Sequence, residues 1–385
     1  MKSLSSACRD LIALNLIDRM GALSIKKLVE HVGDTEKIFS LKKGEIQEIT
    51  GVSSPVAEKV RGSRGSDEYK KEIRYIENEN INVLCFCDED YPRSLRNIYD
   101  PPAVLYYKGT MPGQDDIFVA VVGARQCSLY GMTAAEQLSA GMAECGVTIV
   151  SGMAKGIDSA AHRGTLRSSG KTVAVMGTGF KHIYPKGSEK LVTEICQRGA
   201  VITEFPCDTI PAKFTFPRRN RIISGMSRGV LVVEAAKRSG ALITVDFALE
   251  QGKDVFAVPG QVGSVTSFGT NSLIQNGAKL VLSVRDILDE VAPDISPSRC
   301  KEGKDLLGKN EVMVPEDAAG KIAENMSLDQ KNVFEVIPGG ERVSIDEIGV
   351  LSGVGVGSIH SVLLFLELKG MVRSLPGAMY ERAAH

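Results

Sequence analysis

The spacing of apolar residues changes twice along the chain. Over roughly the first 65 residues they recur at helical intervals, as in "LIALNLI" and "IKKLVEHV", with Gly21, Gly33, Gly44 and Gly51 as interruptions. Residues 1–66 are therefore expected to form a small domain of short helices. Within it, "ITGVSSPVAEKV" reads apolar–Gly–apolar followed by a new helix start, with Pro55 in its first turn. A hairpin of this form can turn backbone N–H groups toward a phosphate. Ser53 stands where such hairpins carry a second glycine, so a helical packing module is the favoured reading.

From about residue 80 to 292 the period shifts. Short runs rich in Val, Ile and Ala alternate with helical stretches: "NVLCF", "AVLYY", "IFVAVVG", "VTIVSG", "TVAVMG", "AVITEF", "GVLVVEA", "DVFAVPG" and "KLVLS". Near-continuous apolar strands separated by helices imply a sheet covered on both faces, hence a mostly parallel one. The fold class predicted for residues 67–292 is α/β, a Rossmann-like doubly wound sheet. Residues 293–326 are polar and aperiodic and read as a linker. Order returns over 327–385. "SLDQKNVFEVI", "SIDEIGVLSG" and "GSIHSVLLFLELKG" predict three helices, and "MVRSLPGAMYER" a hairpin around its Pro-Gly. Three helices and a hairpin make a winged helix.

Composition adds constraints. The formal charge is −1 over 385 residues, so any polyanion must be held by a local patch. Eight cysteines are scattered, and the C-x-C of Cys85 and Cys87 has no histidine beside it. That spacing suggests neither a zinc site nor a disulfide scaffold, and the thiols are expected to be reduced. Arg9, Asp10, Asp18 and Arg19 break up any signal-peptide core, and no apolar run is long enough to span a membrane. A cytoplasmic protein is expected, with no membrane insertion.

Ligands of an open parallel sheet bind beyond the carboxyl ends of its strands. The loops expected there are rich in glycine or cations: Gly123-Ala124-Arg125, "SGMAKGID" from Ser151 to Asp158, "MGTGFKHIYP", "EFPCDTIPAKFTFPRRNR", "EAAKRSGALIT" and "PGQVGSVTSFGTN". Each glycine alone is explained by a tight turn. Together with Arg125, Lys155, Lys213, Arg219 and Arg221 they favour an anion site, with Ser151 and Gly152 as candidates to cradle a phosphate. "KFTFPRRNR" gathers Lys213, Arg218, Arg219 and Arg221 around Phe214 and Phe216 with no acid. Cations for phosphates and a ring for an unstacked base suit single-stranded nucleic acid. Pro217 is expected to start a helix whose positive end points at the same anion. The competing reading is a solvated basic helix over a buried Phe pair.

Other chemistries find little support. The first βα turn lacks G-x-G-x-x-G, "GTGFKH" has histidine at the third glycine, and no P-loop occurs. His162 reads as a packed histidine and Asp158 as a helix cap. Glu204 and Glu234 fit ion pairs with nearby arginines better than general-base roles. No catalytic residue, cofactor or metal is expected.

"VVGARQCSLYG", "SGMAKGIDSAAHRGTL", "FPRRNRIISGMS", "VVEAAKRSGALIT", "FAVPG" and "GTNSLIQNGAKLV" together resemble the DNA processing protein A (DprA/Smf) family. "YPRSLRNIYDPPAVLYYKG" and "LLFLELKGMVRSLPGAMY" extend the resemblance over nearly the whole chain, and the amino-terminal helices are similar in character to that family's SAM or helix-hairpin-helix-like domain. The resemblance implies a non-enzymatic single-stranded DNA-binding protein that loads RecA in natural transformation, acting as a homodimer through the Rossmann-like domain. It places DNA-binding roles on Arg125, Lys213, Phe216, Arg219, Asn220 and Arg221, selecting Phe216 over Phe214. Ala124, Met153 and Lys155 depart from the family's usual serine, glycine and arginine, and the P-P-G usual after Glu204 is missing. Two rivals stand beside this reading. A nucleotide phosphoribohydrolase would need P-G-G-x-G-T-x-x-E, which is absent. A winged-helix transcription regulator would need a polar third helix, and "GSIHSVLLFLELKG" carries one lysine, which favours protein contact.

Overall fold

In a computed structural model of the full chain, residues 4–294, 327–337, 342–368, 371–375 and 379–382 are described. The chain divides into two compact units, Met1–Leu307 and Gly308–His385. The segment expected to be a linker lies almost wholly outside the described residues.

The first unit is built on nine strands: β1 (Asn82–Cys85), β2 (Val104–Gly109), β3 (Phe118–Val122), β4 (Thr148–Ser151), β5 (Thr172–Val175), β6 (Ala200–Thr203), β7 (Gly229–Val232), β8 (Asp254–Ala257) and β9 (Lys279–Leu280). Their spatial order is β1-β2-β6-β5-β4-β3-β7-β8-β9. From β6 to β9 every neighbouring pair is parallel, and β2 pairs antiparallel with both β1 and β6. The chain runs outward from β3 to β6, then returns to place β7 on the other side of β3. Loops leaving β3 and β7 therefore diverge and open a crevice at the strands' carboxyl ends.

Alternation along the central strands builds two faces. Val119 and Val121 of β3 pack with α7 (Leu129–Glu144), α8 (Ile157–Arg167) and α13 (Val284–Val291). Ala120 and Val122 pack with α10 (Thr215–Met226) and α11 (Gly240–Glu250). Ser128 and Ser239 cap α7 and α11, each side chain accepting a hydrogen bond from a first-turn N–H. Helices α6 (Arg93–Arg96), α9 (Glu189–Arg198) and α12 (Phe268–Gln275) accompany the sheet as well.

Ahead of the sheet lie α1 (Ser6–Asn15), α2 (Ala22–Val32), α3 (Lys43–Thr50), α4 (Ser54–Val60) and α5 (Asp67–Asn78). The turn between α3 and α4 has Gly51 at φ 73°, the left-handed conformation that glycine adopts without strain. These helices share a core with the sheet edge, where Leu11, Ile12 and Leu14 meet Val104, Tyr106 and Ile195. Glu72 of α5 accepts a hydrogen bond from the Cys207 N–H at 2.8 Å.

The second unit has helices Leu328–Val336, Ile345–Ser352 and Val356–Leu368 and a small sheet of order β10 (Val343–Ser344), β12 (Met379–Arg382), β11 (Val372–Leu375). This is the expected winged helix, with β10 as a third strand the sequence pattern did not single out. Val333, Ile348, Ile359, Leu363 and Leu366 form its core. The Pro-Gly expected at the hairpin tip lies outside the described residues. Cys8, Cys85, Cys87, Cys127, Cys196 and Cys207 are free thiols. Cys145 is disulfide-bonded, against the expectation that every cysteine is reduced. No helix among the described residues is long and apolar enough to cross a membrane.

Candidate nucleic-acid interface

The crevice at the β3–β7 divergence is a cleft of about 980 Å³. Its walls come from the loop after β3 (Gly123 to Gln126), the loop after β4 (Ala154), the start of α8 (Asp158), Tyr184, the start of α10 and the start of α11. The loops are held against one another by backbone bonds. Ala124 N–H donates to the Glu234 carbonyl at 2.8 Å, and Ile157 N–H donates to the Ala124 carbonyl at 3.2 Å. Gly156, at φ 81°, permits this closeness, since a Cβ there would lie 2.4 Å from the Ala124 oxygen.

Helix α10 begins at Thr215, two residues before the predicted start at Pro217, so Phe216 stands in its first turn. Its half-buried ring lies against Gly177 in the loop after β5, where a Cβ would approach the ring to 2.7 Å. Tyr184 packs tilted beside it with centroids 5.4 Å apart, and the Arg125 guanidinium sits 5.1 Å from the Phe216 centroid. Phe214 is 72 % exposed and does not line the cleft. Lys213 and Arg125 line the cleft and are exposed, and Lys155 is exposed on the loop between Ala154 and Asp158. None of these three cations enters an ion pair among the described residues.

The rest of the predicted set faces inward. Ser151 ends β4 fully buried, and its hydroxyl donates to the Val121 carbonyl at 2.6 Å, so it does not cradle an anion. Arg219 is buried, donating to the carbonyls of Gly152 and Val175 and to Asn220 Oδ1 at 3.1 Å. Burial pulls its pKa down to about 10 despite the neighbouring Asp158 carboxylate. Burial likewise raises the pKa of Asp158, against the pull of Arg219. Gly152 makes room for this arginine: a Cβ would sit 2.5 Å from the guanidinium. Its role here is spatial, in place of the phosphate cradle the sequence suggested. Asn220 lines the cleft and donates to the Gly240 carbonyl at 3.3 Å, joining α10 to α11.

Arg221 is 2 % exposed. It pairs bidentately with Glu204 at 2.7 and 2.8 Å and with Asp100 at 2.7 Å, which ties α10 to β6 and to the segment before β2. Its charge is spent in the interior, so the expectation of a rim cation gives way. Arg218, half-exposed, reaches Glu204 at 3.1 Å. Glu204 thus holds arginines as expected. Glu234 instead accepts from Ser128 N–H at 2.9 Å, from the Ser128 hydroxyl at 2.5 Å and from Thr266 at 3.3 Å.

His162 is buried against Thr172 at 2.7 Å, and burial drives its pKa down to about 3, so it remains neutral. Sequence reasoning missed Tyr184, whose signal was an aromatic in a glycine-rich rim loop. It also left out Lys237 and Arg238, exposed in the loop after β7 next to the cleft residues Ala236 and Ser239. The arrangement offers unpaired cations around an aromatic pair, beside a buried scaffold of arginines.

A family model described as DNA recombination-mediator protein A matches residues 82–292, and one for the DprA winged helix domain matches 317–378. Protein Smf of Synechocystis sp. is 32% identical over 96% of this chain and 98% of its own length. DNA processing protein DprA of Streptococcus pneumoniae is 42% identical over 69% of this chain and 92% of its own. The X-ray structure of S. pneumoniae DprA aligns with a TM-score of 0.65 at 38% identity, covering 74% of this chain and 98% of that one. A structure of Helicobacter pylori DNA processing protein A, reported for its single-stranded DNA binding mode, aligns at 0.50 and 27% identity. It covers 56% of this chain and 97% of that one.

Proposed function

Because the chain belongs to the DprA family of DNA recombination mediators, we propose that it binds single-stranded DNA along the β3–β7 cleft and hands it to RecA recombinase. The binding is non-enzymatic, takes place in the cytoplasm, and involves a homodimer formed through the Rossmann-like domain. The observation that carries the reading is that Arg125 and Lys213, neither in an ion pair among the described residues, line the cleft with the Phe216–Tyr184 pair, while Lys155 is exposed on the adjoining loop. That the H. pylori relative binds single-stranded DNA supports it.

The three cations hold successive phosphates, and Arg218 adds to them from the flank. Arg125 moves from the Phe216 ring to a phosphate as a base takes its place on the ring. Ser151, Gly152, Arg219, Asn220 and Arg221 act through position: they fix the first turn of α10 and the loop after β4 so that Lys213 and Phe216 face the strand. The division into residues 1–66, 67–292, 293–326 and 327–385 accompanies this reading, with DNA contact assigned to the second segment.

Polarisation of a labelled oligo-dT tests the assignment. Arg125→Ala combined with Lys213→Ala is expected to weaken binding at least tenfold and to lower the salt slope by about 1.4, two contacts at about 0.7 each. An unchanged affinity and slope would place the strand elsewhere.

A further inference from the structure

At the far edge of the sheet from the DNA cleft, α1 meets the turn that follows β1. Cys8 of α1 and Cys85 at the end of β1 are both buried, and Asp88 lies in the turn three residues after Cys85. The Cys8 thiol donates to Asp88 Oδ2 at 3.2 Å, and the same oxygen accepts from the Cys85 N–H at 2.8 Å. One donor atom from each of Cys8, Cys85 and Asp88 lies within 4.8 Å of the others. The Cys85 thiol contacts both Cys8 and Cys87, and Cys87 is exposed. Two sulfurs and a carboxylate oxygen therefore converge, with Cys87 against Cys85 beside them, though Cys8 and Asp88 are 80 residues apart in sequence.

Packing alone does not account for the set. Buried thiols pack as small apolar groups and ask for no anion. Yet the Asp88 carboxylate accepts from the Cys8 thiol as well as from the Cys85 backbone N–H, and it enters no ion pair among the described residues. The nearby Arg96 donates to the Asp88 backbone oxygen instead of its carboxylate. A carboxylate held among thiols is what a divalent ion of intermediate softness would explain. Zinc takes four ligands at about 2.3 Å for sulfur and about 2.0–2.2 Å for carboxylate oxygen. The thiolates select it over magnesium or calcium.

We propose that Cys8, Cys85, Cys87 and Asp88 form a structural zinc site that fastens the first helix to the sheet edge. Three of the donors are preset by burial and hydrogen bonds, and the exposed Cys87 closes the fourth position by a movement of the turn. On binding, each coordinating thiol gives its proton to solvent, and no electron changes hands. The positive Arg96 beside the turn offsets part of the negative charge of three thiolates and a carboxylate around one divalent ion.

The test uses the full chain, reduced and stripped of metal by a chelator, titrated with Co²⁺ and then Zn²⁺. The expected result is one equivalent of Co²⁺ bound, with a thiolate-to-metal charge-transfer band and the intense visible bands of tetrahedral cobalt. Zn²⁺ should displace it and raise the melting temperature. Cys8→Ser should weaken uptake at least tenfold, while Cys196→Ser, at a thiol outside the cluster, should leave one equivalent bound. If Cys8→Ser fails to fold, Cys87→Ser and Asp88→Asn, both on the turn, read the same site. Absence of the charge-transfer band in folded wild-type protein would overturn the proposal. So would uptake that persists unchanged in Cys8→Ser, or in both turn variants.

Discussion

Replacing Arg221 by methionine should damage the fold far more than the DNA site. The guanidinium is 2 % exposed and bonded to Glu204 at 2.7 and 2.8 Å and to Asp100 at 2.7 Å. Methionine keeps much of the aliphatic stem and removes the charge. Glu204, itself buried, then retains only the Arg218 contact at 3.1 Å among its ion pairs. Breaking a buried pair by removing one partner costs about 3–5 kcal/mol, and the surviving Arg218 contact puts this case near the lower end, about 3 kcal/mol. Denaturant unfolding followed by far-ultraviolet circular dichroism measures it. Arg221→Met combined with Glu204→Gln should recover part of the loss, because no unpaired buried charge remains. Oligo-dT affinity, measured where the variant is fully folded, should fall less than tenfold. A stability loss below about 1 kcal/mol, the level of an exposed pair, would refute the reasoning. A collapse of affinity in a stably folded variant would instead return Arg221 to the interface.

Phe216→Ala should weaken oligo-dT binding by about 1–3 kcal/mol in a polarisation assay, and Phe214→Ala should change it little. Equal effects at the two positions would remove the reason for choosing between the rings. Gly152→Ala drives a methyl into the Arg219 guanidinium and should destabilise the protein by about 1–3 kcal/mol in denaturant unfolding, with no new charge to explain it. His162 has a folded pKa of about 3 against 6.5 when unperturbed, so the unfolded chain binds the extra proton between these values. Its contribution to stability is fully present above pH 6.5 and declines as pH falls toward 3, with a limiting slope of about 1.4 kcal/mol per unit. His162→Asn should flatten that part of the stability–pH curve.

The parallel sheet was legible because each strand is an apolar run long enough for one crossing of a doubly covered sheet. The rim loops followed from topology, since a doubly wound sheet binds at its carboxyl edge. Which cations of "KFTFPRRNR" face out was only partly legible. Arg219 precedes Ile222 and Ile223 by three and four residues, the spacing of a buried helical face, so its inward turn can be read from periodicity. The burial of Arg221 cannot, because it depends on Glu204 and Asp100, which β6 and the segment before β2 bring to it from 17 and 121 residues away. Tyr184 escaped for the same reason: its partner Phe216 lies in the first turn of α10, on a separate element of the rim. The Cys8–Asp88 contact spans 80 residues, so local cysteine spacing conceals it.

The central claim is that a base of single-stranded DNA rests in the cleft at Phe216 and Tyr184. Photocrosslinking with an oligonucleotide carrying iododeoxyuridine, followed by peptide mass spectrometry, tests it most directly. The account predicts adducts on the peptides holding Phe216 or Tyr184, lost when excess unlabelled oligo-dT is added and reduced in Arg125→Ala with Lys213→Ala. Adducts confined to the winged helix or the amino-terminal helices, with none in the cleft, would contradict it.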